Sequence, residues 1–250
     1  HYQRLLILVF HFILTRIPKP IVNNPSPSQW NLVIQKINME DGGNYTCTAN
    51  TLPVQEQTVT LNIRVSPRIA NSSKSNITVV EGESISLFCQ TTGLPRPTVT
   101  WFKLSRSGDI KTRKGETLKL KEVRRTDDGM FQCLADNNFL PTVYRNFRIT
   151  VHYPPEVKLP VTRIGQAKGK DTILECYVTS VPRAIISWEF KNRMLRMGVK
   201  HSVDHFIDSL SRDVYSLVIR NLNQSDFGTY TCTAANQIGE TMKSVQLYGR

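Results

Sequence analysis

The chain has 250 residues and carries 32 Lys and Arg against 20 Asp and Glu, a net charge of +12. That length allows one to three domains. Five cysteines in a recurring pattern point to an oxidising compartment, which argues against nucleic acid as the partner of the positive charge.

From its start, the chain opens on an apolar run, Leu5 to Leu14, interrupted by His11. The run is shorter than the roughly 20 residues that cross a bilayer. Two readings of residues 1–14 stand: a signal-peptide core flanked by Arg4, or an edge region of a domain that begins before His1. The missing initiating Met and the absence of any cysteine before Cys47 favour a fragment. Pro18, Pro20, Pro25 and Pro27 mark irregular edge structure. Trp30-x-Leu32-x-Ile34 then alternates as a strand. Asp41-x-Gly43 reads as a turn, and Tyr45-x-Cys47 as a second strand with both side chains on its inner face. A turn at Thr51-Leu52-Pro53 leads into a third strand over Thr58 to Val65.

This series recurs. Leu32-x-Ile34-x-x-Ile37 precedes Asp41, Gly43, Tyr45 and Cys47; Leu118-x-Leu120-x-x-Val123 precedes Asp127, Gly129, Phe131 and Cys133. Leu217-x-Ile219-x-x-Leu222 precedes Asp226, Gly228, Tyr230 and Cys232. The spacing of the copies suits tandem domains rather than a solenoid, with boundaries at 1–66, 67–153 and 154–250. Ser66-Pro67-Arg68 is a short linker, and the prolines of Tyr153-Pro154-Pro155 predict a stiff, extended connection.

The repeated D-x-G-x-Y-x-C resembles the E strand, corner and F strand of immunoglobulin domains, where the aromatic is the tyrosine corner and the cysteine bonds to strand B. Cys89, Trp101 and Cys133 complete that series once, and Cys176, Trp188 and Cys232 complete it again. The resemblance implies an all-β chain of tandem immunoglobulin-like β-sandwiches, I-set-like, two complete and one N-terminally truncated. It also implies disulfides Cys89–Cys133 and Cys176–Cys232, with Cys47 unpaired. Phe131 lacks the corner hydroxyl, so that corner is expected to be weaker by about 1 kcal/mol.

A narrower resemblance rests on Trp30-Asn31-Leu32-Val33-Ile34, the Asp41 to Cys47 motif and Asn50-Thr51-Leu52-Pro53. Gly93-x-Pro95-x-Pro97 with Trp101, and Tyr230-Thr231-Cys232-x-Ala234-x-Asn236-x-x-Gly239, extend it. Together these are similar to lachesin, the IgLON proteins and the Dpr-interacting proteins, although Thr48 stands where that family usually has Gln. The resemblance implies a cell-surface adhesion protein, outside the cell and lipid-anchored beyond this chain's C-terminus. Its partners would be like or related immunoglobulin-superfamily proteins, bound through the first domain. Thr46, Thr48 and Asn50 would face the partner from strand F, Leu52 from the following turn, and Leu6, Leu8 and Phe10 from a C′-type edge.

Other features bear on the same question. Asn44, Asn71, Asn76 and Asn223 open N-x-[ST] sequons, consistent with a glycoprotein, and Asn44 shares strand parity with Thr46 and Thr48. A basic stretch holding Lys103, Arg106, Lys111, Arg113 and Lys114 fits either a heparan-type glycosaminoglycan or a solvated strand face. A glycosaminoglycan-binding or receptor-type ectodomain is therefore the competing reading. The five histidines are scattered, and His201, Asp204 and His205 lack a further ligand, so no metal, cofactor or catalytic residue is expected.

Overall fold

The computed structural model describes residues 8–11, 21–26, 29–49, 51–71, 74–105, 108–210 and 212–250, with the backbone alone at 8–11, 21–26 and 29. By compactness the chain divides into two units. One is His1–Ala70 with Thr91–Val99 and Ala135–Val143; the other is Asn71–Gln90 with Thr100–Leu134 and Tyr144–Arg250.

The first unit begins with β1 (Leu8–His11), β2 (Ile21–Ser26), β3 (Gln29–Val33), β4 (Gly43–Ala49) and β5 (Gln55–Leu61). β1, β4 and β5 form an antiparallel sheet in that order, and β2 pairs with β3. Pleating puts Tyr45 and Cys47 on one side of β4, opposite Val59 and Gln57 of β5. Trp30, Leu32 and Ile34 join them around a cavity of about 360 Å³. This apolar side is open to solvent: Val59 is 60% exposed. The third strand runs over Gln55–Leu61, earlier than the expected Thr58 to Val65. The turn is tighter than its composition suggests, because Thr51 N donates to Ala49 O (2.8 Å) and Thr51 Oγ1 to Pro53 O (2.6 Å), so pairing resumes at once.

Next come β6 (Val65–Ile69), β7 (Asn76–Val80), β8 (Ile85–Phe88), β9 (Thr91–Leu94), β10 (Thr98–Leu104), β11 (Ile110–Lys114), β12 (Thr117–Leu120), β13 (Gly129–Asp136) and β14 (Val143–Lys158). β6 pairs antiparallel with β9. Asn137 Nδ2 donates to Val65 O and Pro95 O, both at 2.9 Å, and ties the linker backbone to the adjoining loop. β11, β10, β13 and β14 lie side by side, and β7 runs parallel to β14. β8 pairs with β12. The Cys89–Cys133 disulfide, Trp101, Phe131 and Phe147 are buried, with the Trp101 and Phe147 rings 5.2 Å apart. The basic side chain of Lys103 covers the Phe131 ring at 5.5 Å and donates to Thr126 O.

The last strands are β15 (Arg163–Gln166), β16 (Thr172–Val181), β17 (Ile185–Phe190), β18 (Arg193–Met194), β19 (His201–Ile207), β20 (Asp213–Ile219), β21 (Gly228–Asn236) and β22 (Gly239–Gly249). One sheet runs β14-β16-β20-β19, the other β15-β22-β21-β17-β18. Their inner faces bury Leu174, Trp188, Leu217, Ile219, Tyr230 and the Cys176–Cys232 disulfide. Alternation along β16 and β20 produces this core: every second side chain turns inward.

The same corner precedes each inner cysteine. Ahead of β21, Asp226 Oδ2 accepts from Asn223 N (2.7 Å) and Lys200 Nζ (2.6 Å), and Tyr230 Oη donates to Asp226 O (2.8 Å). Burial, then the Asp226 charge, pushes the Tyr230 phenol far above its ordinary range. Ahead of β4, Asp41 Oδ2 accepts from Asn38 N and Tyr45 Oη donates to Asp41 O, both at 2.7 Å. Ahead of β13, Asp127 Oδ2 accepts from Arg124 N (2.9 Å), and Phe131 makes no hydroxyl bond. Glycine is required where the strand leaves the corner: Gly228 has φ +150°, and a Cβ there would meet the Phe190 ring at 3.0 Å.

Within the second unit, β14 passes through Tyr153-Pro154-Pro155 without a break and continues as the first strand of the next sheet. Arg125 packs on this passage. Its Nε bonds Glu81 (3.0 Å), its Nη2 bonds Glu156 (3.0 Å), and its guanidinium lies 4.0 Å from the Tyr153 ring centre. Burial works against the Arg125 charge, but the hydrogen bonds to Glu156 and Glu81 outweigh it and raise its pKa. From the other side, Asn236 Nδ2 donates to Tyr153 O (3.0 Å) and Pro182 O (2.9 Å), the arrangement Asn137 makes earlier.

Replacing Asn236 by Ala removes the donor from two partly buried carbonyls and is expected to destabilise the last sandwich by about 1–3 kcal/mol in urea unfolding. A second expectation concerns pH. Burial lowers the His201 pKa below 6.5, so the folded chain holds this imidazole neutral while the unfolded chain protonates it. The unfolded state then binds more protons, and stability falls as pH drops through that range. The thermal midpoint should drop less between about pH 7 and pH 5 in H201N than in the parent chain.

Candidate functional site

The expected partner-facing residues lie on the side of β4 opposite Tyr45 and Cys47. Asn44, Thr46 and Thr48 point there, and β5 places Thr60, Thr58 and Glu56 directly across from them. Thr60 Oγ1 donates to Asn44 Oδ1 (2.7 Å), the Thr46 and Thr58 hydroxyls bond each other (2.9 Å), and Thr48 Oγ1 reaches Glu56 Oε1 at 3.5 Å. The face is thus a ladder of three polar rungs with a single charged group. At its end the hairpin turn carries Leu52, 86% exposed, beside the exposed Val54.

β1 pairs directly with β4, the position that the tryptophan strands β10 and β17 take beside β13 and β21. The expected C′-type strand is therefore replaced by one directly beside β4, at the edge of the three-stranded sheet among the described residues: β4 has backbone groups to satisfy on that side, and this segment supplies them. In that register Phe10 aligns with Cys47 and Leu8 with Ala49, whereas His11 and Val9 align with Thr46 and Thr48. The expected apolar centre at Leu8 and Phe10 thus aligns with the inner residues of β4. Leu6 and Asn50 lie outside the described residues. The contribution of β5 escaped the sequence reading, although its polar alternation, Glu56-x-Thr58-x-Thr60, carries the signal.

Cys47 is unpaired among the described residues and lines the cavity on the opposite side of the sheet. The four sequon asparagines, Asn44, Asn71, Asn76 and Asn223, are all exposed. Asn223 also caps its 3-10 turn, its Oδ1 accepting from Ser225 N at 2.9 Å.

The basic stretch is split by the sheet. β11 is exposed throughout, and its register sets Lys111 opposite Phe102 and Lys114 opposite Thr100. Arg113 aligns instead with buried Trp101, on the other side of the strand. The Lys103 ammonium is held by Thr126 O, and Arg106 lies outside the described residues. Of the four described basic side chains, two therefore share the outer face.

The chain matches the immunoglobulin domain model over residues 66–137 and the immunoglobulin I-set model over residues 155–248. It is 32% identical to the limbic system-associated membrane protein of Gallus gallus, covering 92% of this chain and 67% of that protein. It is 30% identical to lachesin of Drosophila melanogaster over 90% of this chain, and spans 64% of the length of that relative. Among solved structures it is similar to the crystal structure of Dpr2 Ig1-Ig2 in complex with DIP-Theta Ig1-Ig3, with a TM-score of 0.75, 27% identity, and coverage of 96% of this chain and 83% of that one. A three-domain I-band fragment of titin shares the fold, at a TM-score of 0.68 and 20% identity over 98% of this chain and 88% of that chain.

The Thr46–Thr58 rung is exposed and should couple weakly. In a double-mutant cycle with T46A and T58A, the interaction energy read from urea unfolding is expected to lie within about 0.2–1 kcal/mol.

Proposed function

The chain belongs to the lachesin and IgLON family of immunoglobulin-superfamily proteins, and on that premise we propose that it is a cell-surface adhesion protein. It binds like or related immunoglobulin-superfamily proteins through the outer face of β1, β4 and β5, and carries out no catalysis. The observation that carries this reading is the polar ladder from Asn44/Thr60 to Thr48/Glu56, ending at the exposed Leu52. Neutral hydroxyls donate and accept equally well, so such a face suits a second sheet of similar composition. Leu52 supplies the apolar area whose desolvation holds the two faces together. The similarity to a Dpr2–DIP-Theta complex, an assembly of immunoglobulin domains, supports a partner of this class. An extracellular address with a C-terminal anchor follows from the same family premise.

A second reading is favoured by one observation, the full exposure of β11 with Lys111 and Lys114 on its outer face. There the ligand would be a polyanion such as a heparan-type glycosaminoglycan, attracted by a local positive potential.

Capture on beads of immunoglobulin-superfamily ectodomains, this chain included, tests both. L52D and T58R are each expected to weaken capture at least roughly tenfold, the loss typical of a central interface residue, with unchanged thermal unfolding. Undiminished capture by both variants sinks the adhesive reading. Heparin retention that falls steeply with salt and is lost in a K111E/K114E variant would establish the polyanion site.

A further inference from the structure

We propose that an N-linked glycan on Asn44 gates the β4–β5 face, so that the chain is adhesive only while this site is bare. The inference rests on the adhesive reading above and names its regulation.

The acceptor tripeptide Asn44-Tyr45-Thr46 lies inside β4, and its two polar members are consecutive rungs of the outer ladder. Tyr45, between them, turns inward and donates to Asp41 O (2.7 Å), which holds the parity of its neighbours. Asn44 is exposed, and its Oδ1 is occupied by the Thr60 hydroxyl at 2.7 Å. That leaves Nδ2 as the amide atom available to carry sugar. In the transfer step Nδ2 bonds to the anomeric carbon of a polyprenyl-diphosphate-linked oligosaccharide. The anomeric carbon–oxygen bond to the diphosphate breaks, the lipid diphosphate leaves with that electron pair, and one amide proton is released.

The geometry makes glycan and partner alternatives rather than neighbours. Along a strand, residues two apart stand about 7 Å from each other on one face. Thr46 therefore lies about 7 Å from the attachment point and Thr48 about 13 Å, within reach of a branched oligosaccharide core. The other sequons lie elsewhere: Asn71 between β6 and β7, Asn76 at the start of β7, and Asn223 as the cap of a 3-10 turn. Moreover, the residue that the transfer reaction requires at the third position, Thr46, is itself the middle rung that binds Thr58 at 2.9 Å. The apparent affinity then scales with the fraction of chains that escape glycosylation.

The test uses the chain secreted from cells, with site occupancy read by mass spectrometry of Asn44 peptides and binding by the bead capture above. Three forms are compared: the parent, the same chain made while assembly of the lipid-linked oligosaccharide is blocked, which leaves Asn44 bare with every rung in place, and N71Q/N76Q/N223Q, which removes only the other sequons. Capture should strengthen in the bare chain and not in N71Q/N76Q/N223Q, roughly tenfold if one parent chain in ten is bare. An unmodified Asn44 in the secreted parent overturns the gate. So does equal capture by all three forms with Asn44 occupied in the parent. If no form captures any immunoglobulin-superfamily ectodomain, the adhesive reading falls and the gate falls with it.

Discussion

Two of the three inner strands, β4 and β21, are positioned by one small constraint, an aspartate whose carboxylate and carbonyl are both used within a single turn. At Asp226 the carboxylate accepts Asn223 N and the carbonyl accepts the Tyr230 hydroxyl; at Asp41 the same two bonds run to Asn38 N and Tyr45. The bonds set where the strand begins and which way its first residues point. Because a pleated strand alternates strictly, that one choice sends Tyr and Cys inward and every intervening residue outward. The last core, the Cys176–Cys232 disulfide and the polar ladder of β4 are all downstream of it. A slip of one residue at the corner would place Thr46 and Thr48 among the apolar side chains and expose Tyr45 and Cys47.

The copy with phenylalanine shows a different way of closing the corner. Phe131 cannot donate to the Asp127 carbonyl, and Lys103 lies over its ring while bonding Thr126 O. An ammonium over an aromatic face is attracted to it, and the lysine stem shields apolar surface on the way. Lys191 does something similar beside Phe190, reaching Ser225 O at 3.0 Å. Basic residues near these turns are thus partly structural, and a count of positive charge along the sequence overstates how much of it faces outward.

What could be read in advance was whatever depends on local alternation. Trp30 to Val33, Tyr45-x-Cys47, and the cysteine and tryptophan positions of the later strands carry their own parity, and the structure has them on the expected faces. What escaped depends on a second strand or on a single turn. The apolar run around Leu8 and Phe10 suits several places in a sheet, and only the pairing to β4 selects one. The start of β5 was hidden because the Thr51 turn closes through its own hydroxyl. Asn137 and Asn236 look like ordinary loop residues in a Cys-x-Ala-x-Asn sequence. Their role appears only when two carbonyls, one in a linker and one after a proline-bearing turn, arrive within 3.0 Å of the same amide.

The unbroken course of β14 has a mechanical consequence. β7 runs parallel to its first half and β16 antiparallel to its second. A pull transmitted along β14 therefore loads both ladders in shear, with many backbone bonds sharing the strain together. Peeling from one end, in contrast, would break them one at a time. Arg125, bonded to Glu81 and Glu156 across the same passage, resists bending where the prolines interrupt the pairing. The segment that looks, from its prolines, like a hinge is thus tied along both of its halves.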